Sequence, residues 1–153
     1  MHMNNVIFIS LLIVFTYSCK TTNNISEKTD FVVFTFRKSE CKGKCPAYYM
    51  EIFNNGKVTF EGTKNVEKIG KFSKQIEIKE VENLISAFEK AKFNAFKNEY
   101  TSLITDLPTT YIGYTNNDTT KTICDYYGAP KELKDLEFLL ENIVNSDNWI
   151  KTE

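Results

Sequence analysis

The chain has 153 residues, 42% of them hydrophobic and 25% charged, with twelve Phe and eight Tyr. That length suits one ordinary domain with an aromatic-rich core, and a second domain is not expected. Nineteen basic residues stand against twenty acidic ones for a formal net charge of −1, so no overall field draws in nucleic acid or an anionic membrane.

Residues 1–19, MHMNNVIFISLLIVFTYSC, carry an apolar run from Val6 to Tyr17. The run is long enough for the core of a signal peptide and too short to span a membrane. Ser18 directly before Cys19, followed by the polar KTTNNISEKTD, resembles the lipobox of bacterial lipoproteins, in which the cysteine is lipidated and becomes the new N-terminus. The expected organisation is a lipoprotein-type signal peptide over 1–19, a polar tether over 20–30 with an r.m.s. reach of about 18 Å, and a single domain over 31–153. An ordinary cleaved signal or an uncleaved anchor would also export the domain. The expected location is the cell envelope, on the periplasmic side or at the outer membrane, with acyl chains at Cys19 as the membrane contact.

From residue 31 the apolar period is two. In FVVFTFRK, Val32, Phe34 and Phe36 share one face, and Tyr48, Met50 and Ile52 repeat the alternation. Asn54-Asn55-Gly56 is a strong turn signal, because these residues accept the positive φ of a tight hairpin, and Val58 and Phe60 mark the returning strand. Val66, Phe72 and Ile76 extend the even spacing through a fourth strand with Gly70 as a bulge.

The period then becomes helical. Val81, Leu84, Ile85 and Phe88 fall at i, i+3, i+4 and i+7, which predicts a helix over 78–92 with Ile76 and Val81 placed as a hydrophobic staple. After an irregular segment with Phe93, Phe96 and Tyr100, TTYIGYT and TKTICDYY read as a strand pair joined at Asn116-Asn117-Asp118. Pro130 opens a final helix striped by Leu133, Leu136, Leu140 and Ile143, and Trp149 and Ile150 dock the tail. The expected fold is α+β, an antiparallel sheet of about six strands in ββββαββα order with two helices packed on one face.

After export, Cys41, Cys45 and Cys124 remain besides Cys19. The envelope permits disulfides, and the close pair Cys41/Cys45 reads first as a structural staple worth about 2 kcal/mol for a loop of about five residues. Lys38, Lys42 and Lys44 would favour thiolates, which supports a thiol-redox reading, although C-x-x-x-C here leads through Pro46 into a strand rather than a helix. Soft Cu(I) is a further reading for the two thiolates with Cys124. The only histidine is His2, inside the signal, so no metal site, cofactor or histidine-assisted nucleophile is expected in the mature chain. Glu99, Asp106, Asp118 and Asp125 show no spacing that sets two carboxylates across a substrate, and read as solvated turn and loop acids. Tyr48, Tyr49, Tyr111, Tyr114, Tyr126 and Tyr127 all fall on strands, and alternation turns some of them outward as a candidate face for a glycan or an envelope protein.

The stretches FRKSECKGKCPAYYMEIFNNGKVTFEG, Gly70-Lys71-Phe72, Asp106-Leu107-Pro108-Thr109 and DYYGAPKELKDLE, with a closing Trp149-Ile150, resemble the domain of unknown function 6438 family. That family occurs in exported proteins and lipoproteins of Bacteroidetes-type bacteria. The resemblance covers roughly 31–150 and implies a small envelope domain with paired cysteines; it implies no reaction. The functional expectation is a non-enzymatic, lipid-anchored binding or assembly module with a structural Cys41–Cys45 disulfide. The alternative is a thiol-redox or Cu(I)-handling protein using that pair.

Overall fold

A computed structural model of the chain describes residues 29–104, 106–117 and 119–153. The expected signal peptide over 1–19, with Cys19, and residues 20–28 of the expected tether lie outside the described residues. The elements run β1 (Val32–Lys38), β2 (Ala47–Phe53), β3 (Lys57–Lys64), β4 (Gly70–Gln75), α1 (Ile78–Lys90), a 3-10 turn (Phe93–Ala95), β5 (Glu99–Tyr100), β6 (Thr110–Asn116), β7 (Thr119–Asp125), α2 (Lys131–Asn145) and β8 (Ile150–Lys151).

All eight strands join one sheet in the order β5-β7-β6-β1-β2-β3-β4-β8. β1 to β4 form a meander of antiparallel neighbours, and the β6–β7 hairpin returns beside β1. β5 runs parallel to β7, which makes the sheet mixed. The fold class is α+β as expected, but the sheet is larger than the six antiparallel strands read from the sequence. The two additions, β5 and β8, are two residues long, too short to show a period of two. Each pairs at an outer edge and shortens the run of unpaired backbone there.

Local chemistry accounts for most boundaries. Gly56 takes φ 82° in the β2–β3 turn, a conformation that favours glycine. Ile76 and Val81, on either side of the N-cap residue Glu77, are both buried, as a hydrophobic staple requires. Pro130 caps α2 with extended backbone instead of forming its first turn, so the helix begins one residue later than expected. The fourth strand also differs. Val66 lies in the β3–β4 connection and Ile76 follows the strand, while Gly70 opens β4 opposite Gly62 with no register break. Gly62 is needed because a Cβ there would run into the Lys68 carbonyl oxygen. The β3–β4 connection folds back over the strand at that point.

The core lies between one sheet face and both helices. Phe34, Phe36, Tyr48, Met50, Ile52, Val58, Phe60, Ile112, Tyr114 and Ile123 from the strands join Val81, Leu84, Phe88, Leu133, Leu136, Leu140 and Ile143 from the helices in one cluster. A bulge in β1 interrupts its register with β2 between Val32 and Phe34, and Val33 joins the same core cluster as Phe34. The aromatic centre is dense, with the Phe34 ring 4.7 Å from Phe88 and stacked at 5.2 Å on Tyr114.

Candidate functional site

Two regions carry polar chemistry: the end of the sheet where the long loops meet, and the sheet face without helices. At the loop end, Asp125, Thr110, Lys38, Tyr48, Gly62 and Gly70 form one paired row across β7, β6, β1, β2, β3 and β4, with only the Ala47–Lys64 pair of β2 and β3 beyond it. The β1–β2 loop, residues 101–109 and the β7–α2 loop all leave from this row. The segments that resemble the family, SECKGKCP, Asp106-Leu107-Pro108-Thr109 and DYYGAPKELKDLE, therefore meet in space although they are far apart in sequence.

The β1–β2 loop is closed by a disulfide between Cys41 and Cys45, whose Cα atoms are 5.6 Å apart, within the ordinary span for such a bond. The Gly43 amide donates to Cys41 Sγ at 3.3 Å, and the Asn65 side chain donates to the Cys45 carbonyl at 3.1 Å. The Ser39 amide donates to the Thr109 carbonyl at 2.9 Å, Thr109 N donates back to Ser39 Oγ at 3.0 Å, and Lys42 pairs with Asp106 at 3.0 Å. Lys38, expected beside the thiols, turns instead under α2 and pairs with Glu141. Neither cysteine sits at a helix N-terminus, the position that most lowers a thiol pKa. Cys124 lies two strands away from β1, opposite Tyr111 on β6 and Glu99 on β5. Burial, then the Glu99 charge, pushes its thiol up, against a hydrogen bond from Tyr111. Among the described residues no group of three or more His, Cys, Asp or Glu could hold a metal ion.

The six tyrosines do not share one face. Tyr48 and Tyr114 pack on the helix side and are 4% and 3% exposed, so their place in a binding face is corrected. Both rings extend the Phe34–Phe36–Phe88 core, where a large aromatic body outweighs one hydroxyl. Tyr126 follows β7 and pins the neighbouring loop, donating to the Ile104 carbonyl at 2.6 Å and accepting from Leu107 N at 3.3 Å. Tyr127 is exposed in the β7–α2 loop. Tyr49 and Tyr111 alone flank Arg37 on the helix-free face, where the register aligns Cys124, Tyr111, Arg37, Tyr49, Glu61 and Lys71 in one row. The Arg37 guanidinium lies 3.8 Å from the Tyr111 ring centroid, a cation–π pair.

Along that row a shallow groove of about 420 Å³ is lined by Tyr49, Glu61 and Lys71 together with Glu51, Lys57, Thr59, Ser73 and Thr152. The Tyr49 hydroxyl donates to Glu51 Oε1 at 2.9 Å, and Thr59 Oγ1 donates to Glu51 Oε2 at 3.2 Å. Burial, then the bond to Glu51, pushes the Tyr49 hydroxyl up to about 12, so it keeps its proton and remains a donor. Glu51, Glu61 and Glu153, the last paired with Lys71 at 2.6 Å, stand against Lys57, Lys71 and the neighbouring Arg37, so the local charge balances.

Residues 32–144 match the family described as Domain of unknown function (DUF6438), and the chain belongs to it. No curated protein matches the chain. Among the described residues no helix is long and apolar enough to cross a membrane.

Proposed function

We propose that this protein is a non-enzymatic binding module of the bacterial cell envelope, anchored by lipid at Cys19, that takes a neutral glycan segment on the helix-free face of its sheet. The observation that carries this reading is the groove beside Tyr49. A part-exposed aromatic edge offers a surface for the apolar face of a sugar ring. The surrounding carboxylates, lysines and hydroxyls suit the mixed donors and acceptors of sugar hydroxyls. Balanced charge gives no preference for a strongly ionic ligand. The Cys41–Cys45 bond closes the β1–β2 loop, and Ser39 and Lys42 tie that loop to Thr109 and Asp106, which supports a structural role for Cys41 and Cys45.

The test is calorimetric titration of the full chain with β-1,4-linked N-acetylglucosamine oligomers. Binding that Tyr49→Ala weakens by at least about tenfold, or 1.4 kcal/mol, with unchanged thermal stability, is the expected result. No binding, equal binding by Tyr49→Ala, or cleavage of the oligomer would overturn the reading.

A further inference from the structure

α2 is amphipathic, yet its buried stripe holds an acid. Glu137 is 6% exposed on the stripe with Leu133, Leu136 and Leu140, Asp125 of β7 is 2% exposed, and Glu137 Oε1 and both Asp125 carboxylate oxygens are buried without a hydrogen-bond partner. Lys134, one turn earlier, pairs with Asp125 and reaches Glu137 at 3.2 Å. Two buried carboxylates thus share one half-exposed lysine. Glu141, one turn further along α2, pairs with Lys38 of β1, so that neighbouring acid and base offset each other. From β2 the site is faced by the buried Tyr48 hydroxyl, which lacks a hydrogen-bond partner, and from β6 by the uncharged Thr110.

We propose that Glu137, Asp125 and Lys134 form a proton-operated latch that fastens the first half of α2, and with it the loop end of the domain, to the sheet. With a proton, Glu137 donates to Asp125, and Asp125 pairs with Lys134; every charge in the cluster is then matched. Without that proton, two carboxylates face each other in a site of low polarity with one cation between them. Burial, then the hydrogen bond to Asp125, pushes Glu137 up to about 7, against the pull of Lys134. A group whose folded pKa is raised holds its proton longer in the folded state than in the unfolded one. The latch is therefore strongest below the ordinary glutamate value of about 4.3 and weakens as pH rises to about 7.

The consequence reaches beyond α2. The β7–α2 loop holds Tyr126, whose hydroxyl fixes Ile104 and Leu107, and Tyr127, whose amide donates to the Tyr100 carbonyl at 3.2 Å. Asp106 of the same segment pairs with Lys42 of the stapled loop. Releasing the start of α2 loosens this end while leaving the β2–β3 hairpin intact.

The experiment is amide hydrogen exchange of the full chain at pH 5.5 and 8, corrected for intrinsic rates. Residues 126–138 should lose at least about tenfold protection between the two, relative to β2 and β3, and Glu137→Gln, which mimics the protonated acid, should abolish the difference. A carboxyl-carbon NMR titration of the unsubstituted chain needs no variant and should find Glu137 titrating well above ordinary glutamates. An ordinary Glu137 midpoint, equal pH dependence in all elements, or undiminished dependence in Glu137→Gln would overturn the proposal.

Discussion

Glu137 shows how one residue carries more than its pattern. The positions 133, 136, 137, 140, 143 and 144 form the buried stripe of α2, and an acid at 137 is the one member that contradicts the helical pattern. That contradiction is legible in the sequence, but its partner is not, because Asp125 is reached only through the pairing of β7 with β6. Alternation does place Asp125 on the Ile123 side; reading it as a solvated acid fails because α2 covers that side. Tyr48 is the complementary case. Its alternation with Met50 and Ile52 is plain, yet nothing in a tyrosine says which face the helices will take. Its hydroxyl is buried without a hydrogen-bond partner, and such a group costs stability. Tyr48→Phe should therefore raise the denaturant midpoint, adding about 1 kcal/mol of stability at unchanged slope.

At the scale of elements, the long amphipathic segments were readable and the short ones were not. The β2–β3 hairpin follows from Asn54-Asn55-Gly56, and both helices follow from their stripes. β5 and β8 depend on long-range pairing at the sheet edges, where Glu99 meets Cys124 and Phe72 meets Lys151. The β1–β2 loop is where the two readings of the cysteines separate. As a staple, the Cys41–Cys45 bond narrows the unfolded ensemble, so Cys45→Ser should lower stability by about 2 kcal/mol in equilibrium unfolding. In graded glutathione buffers the bond should open only under strongly reducing conditions. A pair that opens near the potentials of exchange catalysts, or binds Cu(I) tightly when reduced, would favour the thiol-redox or copper-handling alternative.

At the scale of the whole molecule, β1 begins beside the Asn54 turn, with the Phe31 amide donating to Asn54 Oδ1 at 3.1 Å. The stapled loop leaves from its other end. The groove beside Tyr49 lies on the sheet face between these two ends. The raised Glu137 value makes the overall stability pH-dependent, with an expected fall in thermal midpoint from pH 5 to pH 7.5 that Glu137→Gln flattens, read by calorimetry.

The measurement closest to the central claim is a backbone-amide NMR map of the full chain titrated with β-1,4-linked N-acetylglucosamine oligomers. The binding account predicts shifts confined to β2, β3 and β4 around Tyr49, Thr59 and Lys71. Shifts confined instead to the stapled loop and residues 101–109, or none at all, would contradict it.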